Sequence, residues 1–369
     1  MNDLIKRNQY GANYIPDVAT FKTQVIAKTI IPHQVEFQPG PSKGNLCWLK
    51  CPYCYGGSVK DTGERMSRDR AVEILNQIAD GGVKKVIFAG YCTDPLNCEY
   101  IEDLLEVAIV RGMIWGFNTK ALKVSKRFLT LLSSPDIAPK SYISVSVDAG
   151  NNKSYCRIHG IQKPSLYDRI LNNVTKICLA SETSKRSYDV SVTYLINKWN
   201  NNKDEIKQFI DDSYSADCDL IRFAFPQSPR NASKQVLTMI PTQSERKRYR
   251  DKLLPIIQAE DSEDCRVMLV DADTDHDIHR ERTLPCVARW VYPTVGFDGW
   301  LYHCSQSSSP EFRAMALGDL NKRDFWDVFY DYSGALTHLL DEWEMGELGC
   351  RCDRKEHVLN ERVRKEGKL

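Results

Sequence analysis

From Val35 onward, short β-branched or aromatic runs alternate with longer stretches whose apolar residues recur at helical spacing. The strand candidates are VEFQP from Val35, KKVIFAG from Lys84, IWGFNTK from Ile114, YISVSVDAG from Tyr142, YDVSVTYLI from Tyr188 and LIRFAF from Leu220. Turn or charged residues bound each of them. Between them, SRDRAVEILNQIADGG opens with Ser67 as a helix N-cap and closes on a glycine pair. SKRFLTLLSS and SLYDRILNNVTKICLA also carry helical spacing. Strands and helices in this alternation predict a parallel α/β sheet, open or a partial barrel. A site is then expected in the loops that follow the strands.

The pattern changes on either side of that region. Residues 1–34 are polar and irregular, a lead-in expected to pack on the main body. After about Pro226, QSERKRYRDKLLPIIQAE reads as a charged helix and CRVMLVDA as a further strand. WVYPTVGFDGWLYHCS reads as two β-runs joined by Gly296-Phe297-Asp298-Gly299, a hairpin signal. LNKRDFWDVFYDY is an aromatic amphipathic helix, and the charged stretch after Cys352 is expected to fray. The divisions expected are a lead-in 1–34, a barrel 35–230, a linker helix and strand 231–280, a C-terminal unit 281–355 and a tail 356–369.

The 50 basic and 49 acidic residues leave a net charge of +1, which gives no electrostatic case for a nucleic-acid or membrane partner. The longest apolar stretches, such as Leu104 to Val110, fall far short of the roughly 20 residues of a membrane span. The N-terminus lacks the continuous apolar core of a signal peptide. A cytoplasmic protein is the expectation.

Thirteen cysteines change the picture. Without a secretion signal, metal ligation explains them better than disulfides. Cys47, Cys51 and Cys54 form a C-x₃-C-x₂-C triplet; Cys286, Cys304, Cys350 and Cys352 lie towards the C-terminus; Cys92, Cys98, Cys156, Cys178, Cys218 and Cys265 are scattered. Four thiolates saturate a structural zinc or a simple iron–sulfur cluster. Three on a [4Fe–4S] cluster leave one iron able to take an outside ligand and pass it an electron. The alternative for the triplet is a zinc site that borrows a fourth ligand, such as Cys92.

The triplet, with Tyr53 just before its third cysteine and its place after the first strand, resembles the signature of the radical S-adenosylmethionine (SAM) superfamily. That resemblance implies a partial (β/α)₆ TIM-like barrel in which Cys47, Cys51 and Cys54 hold a SAM-binding [4Fe–4S] cluster. One-electron cleavage of SAM there yields a 5′-deoxyadenosyl radical that abstracts hydrogen from an unreactive C–H bond. FAGYCTDPL follows the second strand, where the family has a glycine-rich segment, so Gly90, Thr93 and Asp94 map onto the SAM amino-group site. This sequence has Gly-Tyr-Cys-Thr-Asp in place of the usual Gly-Gly-Glu. Ser146 and Asp148 map onto groups for the ribose or methionyl part, Arg157 onto the SAM carboxylate, and Asn118 onto the third strand's end. Helix caps and surface ion pairs are the structural alternative for Asp94, Ser146, Asp148 and Arg157.

Cys286, Gly299 and Cys304 form C-x₁₂-G-x₄-C, which resembles the opening of the SPASM and twitch extensions of the same superfamily. With Cys350 and Cys352 the count fits one auxiliary [4Fe–4S] cluster in a small hairpin-plus-helix domain; a structural zinc is the alternative. The resemblance further implies a flavodoxin- or ferredoxin-type electron donor. An auxiliary cluster that accepts an electron implies dehydrogenation, and one that only holds the site allows epimerisation. An epimerase needs a hydrogen donor; Cys156 and then Cys92 are the candidates, against the alternative of small buried apolar groups. The 34 residues before the first strand are too few for the leader-binding domain common in peptide-modifying relatives. A small polar natural-product intermediate such as a sugar or aminocyclitol is therefore the expected substrate. The alternatives are a ribosomal-peptide maturase and a non-catalytic protein stabilised by metals. Trp290, Tyr292, Trp300 and Tyr302 are expected mainly as packing.

Overall fold

The structure is a computed structural model that describes residues 14–366, apart from 16, 55, 58, 227–233, 260–265, 271–285 and 332–353. Cys265, Cys350 and Cys352 lie outside the described residues. In chain order the elements are α1 (Val18–Ile26), β1 (Val35–Phe37), α2 (Arg68–Asp80), β2 (Lys85–Phe88), α3 (Ile101–Val110), β3 (Ile114–Thr119), α4 (Lys126–Leu132), β4 (Ser141–Ser146), α5 (Asn152–His159) and α6 (Leu166–Thr183). There follow β5 (Tyr188–Leu195), α7 (Lys203–Ser215), β6 (Leu220–Ala224), α8 (Lys234–Met239), α9 (Gln243–Ala259), β7 (Val267–Leu269) and α10 (Ala288–Val291). The last are β8 (Thr294–Val295), β9 (Trp300–Tyr302), β10 (Gly318–Asp319), α11 (Phe325–Phe329) and α12 (Arg354–Glu366).

Each of the six expected strands forms, and β1 to β7 run parallel in sequence order. Among the described residues the sheet order is β10-β9-β8-β1-β2-β3-β4-β5-β6-β7, with β10 and β7 at its two edges. The helices cover it through apolar stripes. On α2, Ala71, Ile74, Leu75 and Ile78 are buried, and the Ser67 hydroxyl accepts the Arg70 N–H at 3.3 Å as N-cap. Inside, aromatic rings join the strands to the helix layer: Phe88 meets Phe117 at 4.9 Å and Phe117 meets Phe128 at 5.3 Å.

Four features differ from expectation. The lead-in contains α1, capped by Asp17 and burying Val18, Phe21 and Val25. β7, expected in a linker, pairs with β6 and extends the barrel sheet. The Gly296–Gly299 hairpin forms between β8 and β9 but is not a separate sheet, because β8 pairs in parallel with β1. The tail forms α12, which buries Leu359 and Val363; its apolar positions are too few to stand out in a charged sequence until a surface is there to receive them.

The C-terminal part is clamped onto α2. Trp326 Nε1 donates to the Gln77 carbonyl at 2.7 Å, the Phe325 N–H donates to Gln77 Oε1 at 2.8 Å, and Arg70 donates to the Leu320 carbonyl at 2.6 Å. Gly81, just past the end of α2, allows this: an added Cβ would lie 2.0 Å from the Trp326 ring. Gly81→Ala is expected to cost about 1–3 kcal/mol, read as a lowered denaturation midpoint.

Candidate functional site

The carboxyl ends of β1, β2, β3 and β4 open into one cavity of about 1060 Å³. Cys47, Cys51 and Cys54 line it from the loop after β1. Two tight turns fold that loop, with Cys54 N–H on the Cys51 carbonyl and Gly57 N–H on the Cys54 carbonyl, both at 3.1 Å. Glycine makes room at two close approaches. A Cβ on Gly56 would lie 2.4 Å from the Cys92 Cβ, and one on Gly90 would lie 2.0 Å from the Thr93 carbonyl oxygen. No three His, Cys, Asp or Glu side chains among the described residues are grouped as ligands of a single metal ion.

Burial sets the state of the three thiols. It raises the pKa of Cys47 and Cys54 and pushes Cys51 up to about 12. The Lys120 ammonium acts on all three in the opposite sense, so a fixed cation faces the sulfurs. Lys120 lines the cavity from the end of β3 and is held by Asp148: Nζ donates to Oδ2 at 2.7 Å. Tyr53 Oη donates to the same oxygen at 2.7 Å, and the Leu195 N–H to Oδ1 at 2.8 Å. Burial works to raise the Asp148 pKa, but the Lys120 charge and the hydrogen bonds from Lys120 and Tyr53 hold it below the usual carboxylate range. The Lys120 pKa is raised: burial works against the charge and Asp148 outweighs it.

His159 ends α5 with Nδ1 3.0 Å from Cys51 Sγ and Nε2 3.0 Å from the Val147 carbonyl. A carbonyl only accepts, so Nε2 carries the proton. Burial, then Lys120, pushes the His159 pKa down to about 3, which keeps the ring neutral.

The residues singled out from sequence divide into two groups. Gly90, Thr93, Asp94, Asn118, Ser146 and Cys92 line the cavity with the triplet. The Thr93 hydroxyl is buried with no hydrogen-bond partner. Asp94 accepts from the Lys120 N–H at 2.6 Å and from the Thr119 hydroxyl at 2.7 Å, and burial raises its pKa. Tyr53, Asp148, Cys156 and Arg157 do not line the cavity. Three donors claim the Asp148 carboxylate, and Tyr53 is one of them. The Cys156 thiol donates to the Lys163 carbonyl at 3.3 Å, and the Arg157 guanidinium to the Trp199 carbonyl, because α5 directs both away from the strand ends. Of the C-terminal cysteines, Cys286 and Cys304 are both buried. Trp290, Tyr292 and Tyr302 are buried packing, and Trp300 stacks under Arg313.

Sequence reasoning missed Lys120, His159, Glu36 and Gln38. Lys120 directly follows the strand-end Asn118 and Thr119, and its place in IWGFNTK was the available signal. Nothing local marks His159, which reaches Cys51 across 108 positions of chain.

Phe297, in the turn of the hairpin, packs with Leu46 and Cys92 behind the cysteine loop, and its carbonyl accepts the Met66 N–H at 3.1 Å. The C-terminal part therefore supports the loop that carries the triplet.

Residues 42–211 match the radical SAM superfamily. Two curated relatives, from Flammeovirga pacifica and Lacinutrix mariniflava, are both named S-adenosylmethionine-dependent nucleotide dehydratase. Each is 26% identical, over 173 and 172 residues, covering 45% and 44% of this chain. The matches span only 56% and 33% of those relatives' own lengths. Among solved structures, Streptococcus suis SuiB bound to S-adenosylmethionine superposes with a TM-score of 0.62 at 15% identity, covering 93% of this chain and 75% of SuiB. Native anSMEcpe with bound AdoMet gives 0.55 at 15% identity, covering 90% and 95%. At these identities the structural likeness carries the fold, a partial TIM-like barrel. Together with the cysteine loop at the strand ends, these matches make residues 42–211 of this chain similar to a radical SAM domain.

Proposed function

We propose that the chain abstracts hydrogen from an unactivated C–H bond of a small polar substrate, giving oxidation or epimerisation. The observation that carries this is the cavity at the strand ends, whose volume of about 1060 Å³ lies just above the roughly 300–1,000 Å³ of one ligand site. The cysteine triplet lines one part of it, and Glu36, Gln38, Asn118, Ser146, Ser305 and Gln306 add polar groups. That is room for a cofactor and a compact substrate side by side.

The residues fit the family's cofactors. Cys47, Cys51 and Cys54 would hold a [4Fe–4S] cluster, with Lys120 opposing its negative charge. Gly90 gives close backbone approach, and the Thr93 hydroxyl, Asn118 and Ser146 are donors for SAM. When bound, the cluster and SAM supply one-electron cleavage to a 5′-deoxyadenosyl radical. A flavodoxin- or ferredoxin-type protein would deliver the electron. Cys286 and Cys304, with Cys350 and Cys352, would hold an auxiliary cluster in a twitch-type arrangement. For quenching a substrate radical, Cys92 is favoured over Cys156 because it lines the cavity. The relatives named nucleotide dehydratases support a small-molecule substrate and add dehydration as a further outcome. Peptide maturation is the second reading, from the SuiB fold, which has been solved with its precursor peptide SuiA.

Anaerobic reconstitution tests the proposal. Two clusters per chain and reductive SAM cleavage are expected; stoichiometric zinc without 5′-deoxyadenosine would instead indicate a non-catalytic, metal-stabilised protein. Deuterium uptake from solvent into product separates thiol-quenched epimerisation from dehydrogenation. Cys304→Ala is expected to lower the cluster content to one, spare some uncoupled SAM cleavage and suppress product.

A further inference from the structure

The chain is balanced overall, with 50 basic and 49 acidic residues, but two stretches that meet beside the cysteines carry no acid. One runs from Phe37 to Lys60 and holds the cysteine loop; its cations are Lys43, Lys50 and Lys60. The other runs from Ala149 to Tyr167 and holds α5; its cations are Lys153, Arg157 and Lys163. The fold packs the two together. The Lys50 N–H donates to the His159 carbonyl at 3.1 Å, and a Cβ on Gly160 would lie 2.7 Å from the Lys50 carbonyl oxygen. On α5, Ser154, Tyr155, Ile158 and His159 are buried. Lys153, Arg157 and Gly160 fall on the opposite stripe, so that stripe leads to Lys50. The Cys156 thiol, bonded to the Lys163 carbonyl, folds the next loop back against the same helix.

All six basic side chains are exposed. The Arg157 guanidinium meets the neutral Trp199 carbonyl, and none of the five lysine ammoniums has an ion pair or hydrogen bond among the described residues. Acids bordering the two stretches are engaged elsewhere: Asp61 by Arg65 at 2.8 Å, Asp148 by Lys120 at 2.7 Å and Asp168 by Asn152 Nδ2 at 2.7 Å. Glu99 accepts the Ser42 N–H at 2.8 Å, which offsets charge at the Lys43 end. Trp48, between Cys47 and Cys51 and two residues before Lys50, keeps 53% of its surface exposed. An indole left in water beside unpaired cations has the composition of a contact patch, an aromatic anchor within a charged rim. Trp48 and Lys50 also line the cavity, so this face adjoins its mouth.

We propose that this face docks an acidic one-electron carrier of the flavodoxin or ferredoxin class, with Trp48 as the apolar anchor and Lys50, Lys153, Arg157 and Lys163 meeting carboxylates on the carrier. This deepens the proposed function and rests on it, because a cluster on Cys47, Cys51 and Cys54 is what gives the electron a destination. The carrier is oxidised by one electron and the cluster reduced by one, so no further reactant is needed. Opposite charge suits a brief encounter, since it raises the association rate without a large buried area.

The test uses the full chain, reconstituted anaerobically, with an acidic flavodoxin, the basic cytochrome c and phosphatidylglycerol vesicles as probes. Iron and sulfide content, and 5′-deoxyadenosine formed with photoreduced deazaflavin as a small neutral reductant, are measured on the same samples. Their absence refutes the radical SAM reading and the docking site with it. With them present, calorimetry is expected to show binding of flavodoxin and none of cytochrome c. Raising the salt from about 20 to about 200 mM is expected to weaken flavodoxin binding at least about tenfold. Lys153→Glu combined with Lys163→Glu is expected to cost at least about tenfold in flavodoxin affinity and to leave deazaflavin-driven cleavage unchanged, since neither lysine lines the cavity. Trp48→Ala is expected to cost a similar factor; if it fails to load a cluster, the double lysine variant decides. Absent flavodoxin binding, or binding that is indifferent to salt, matched by cytochrome c or undiminished by either substitution in a cluster-loaded chain, would overturn the proposal. Release from the vesicles without loss of flavodoxin binding would assign the face to a lipid surface instead.

Discussion

Cys51→Ala is expected to reduce 5′-deoxyadenosine formation to background and to leave the N-terminal cluster unassembled. Cys51 is the middle thiol of the triplet. Cys92, which shares the cavity, packs with Leu46 and Phe297. The substitution should leave the fold intact, since Cys51 is half-buried and stands in a loop. Folding and chemistry can therefore be read separately: circular dichroism and denaturation midpoint for the first, iron content and SAM cleavage for the second. Cys51→Ser is the stricter control, because it keeps the shape and a hydrogen-bonding group beside His159 Nδ1. If Cys51→Ala cleaved SAM at the native rate, the cysteine loop would not be the cluster site.

Asp148→Asn is expected to be the most destabilising single substitution of a polar group near the site. It removes the counter-charge of Lys120 while keeping the shape of the side chain. Stranding one member of a buried ion pair costs about 3–5 kcal/mol. The lower end applies here because the Lys120 side chain keeps 16% of its surface exposed. A fall of several degrees in the denaturation midpoint is the measurement. The double variant Asp148→Asn with Lys120→Met should recover much of the loss, because no unpaired charge is left behind. If Asp148→Asn alone were neutral, the pair would not be holding the strand ends together.

The pH dependence has a definite sign. The Asp148 pKa is depressed in the folded state, so its contribution is present above the unfolded carboxylate range and lost as pH falls through the folded value. The Lys120 pKa is raised, so its contribution is present below the unfolded lysine range and lost as pH rises through the folded value. Between those ranges the pair contributes a constant amount, and the native-minus-variant difference should be flat from mildly acidic to mildly alkaline pH.

Residue order alone was enough for the six barrel strands, for α2, α4, α6, α9 and α11, and for the cysteine triplet; α3, α5 and α7 were not read from it. Those features are local: β-branched runs, helical spacing, the Ser67 cap and a short ligand motif each lie within one stretch of chain. The Gly-Phe-Asp-Gly turn was legible for the same reason. Contacts across the chain were not legible. His159 meets Cys51, Asp148 pairs with Lys120, and β8 joins β1 only after distant segments have been brought together. The same holds for Arg157 and Cys156: near a strand end in sequence, they are carried away from the cavity by the direction of α5. A side chain's neighbours across the barrel depend on strand order and helix orientation, and those are set by burial of the whole core rather than by any single segment.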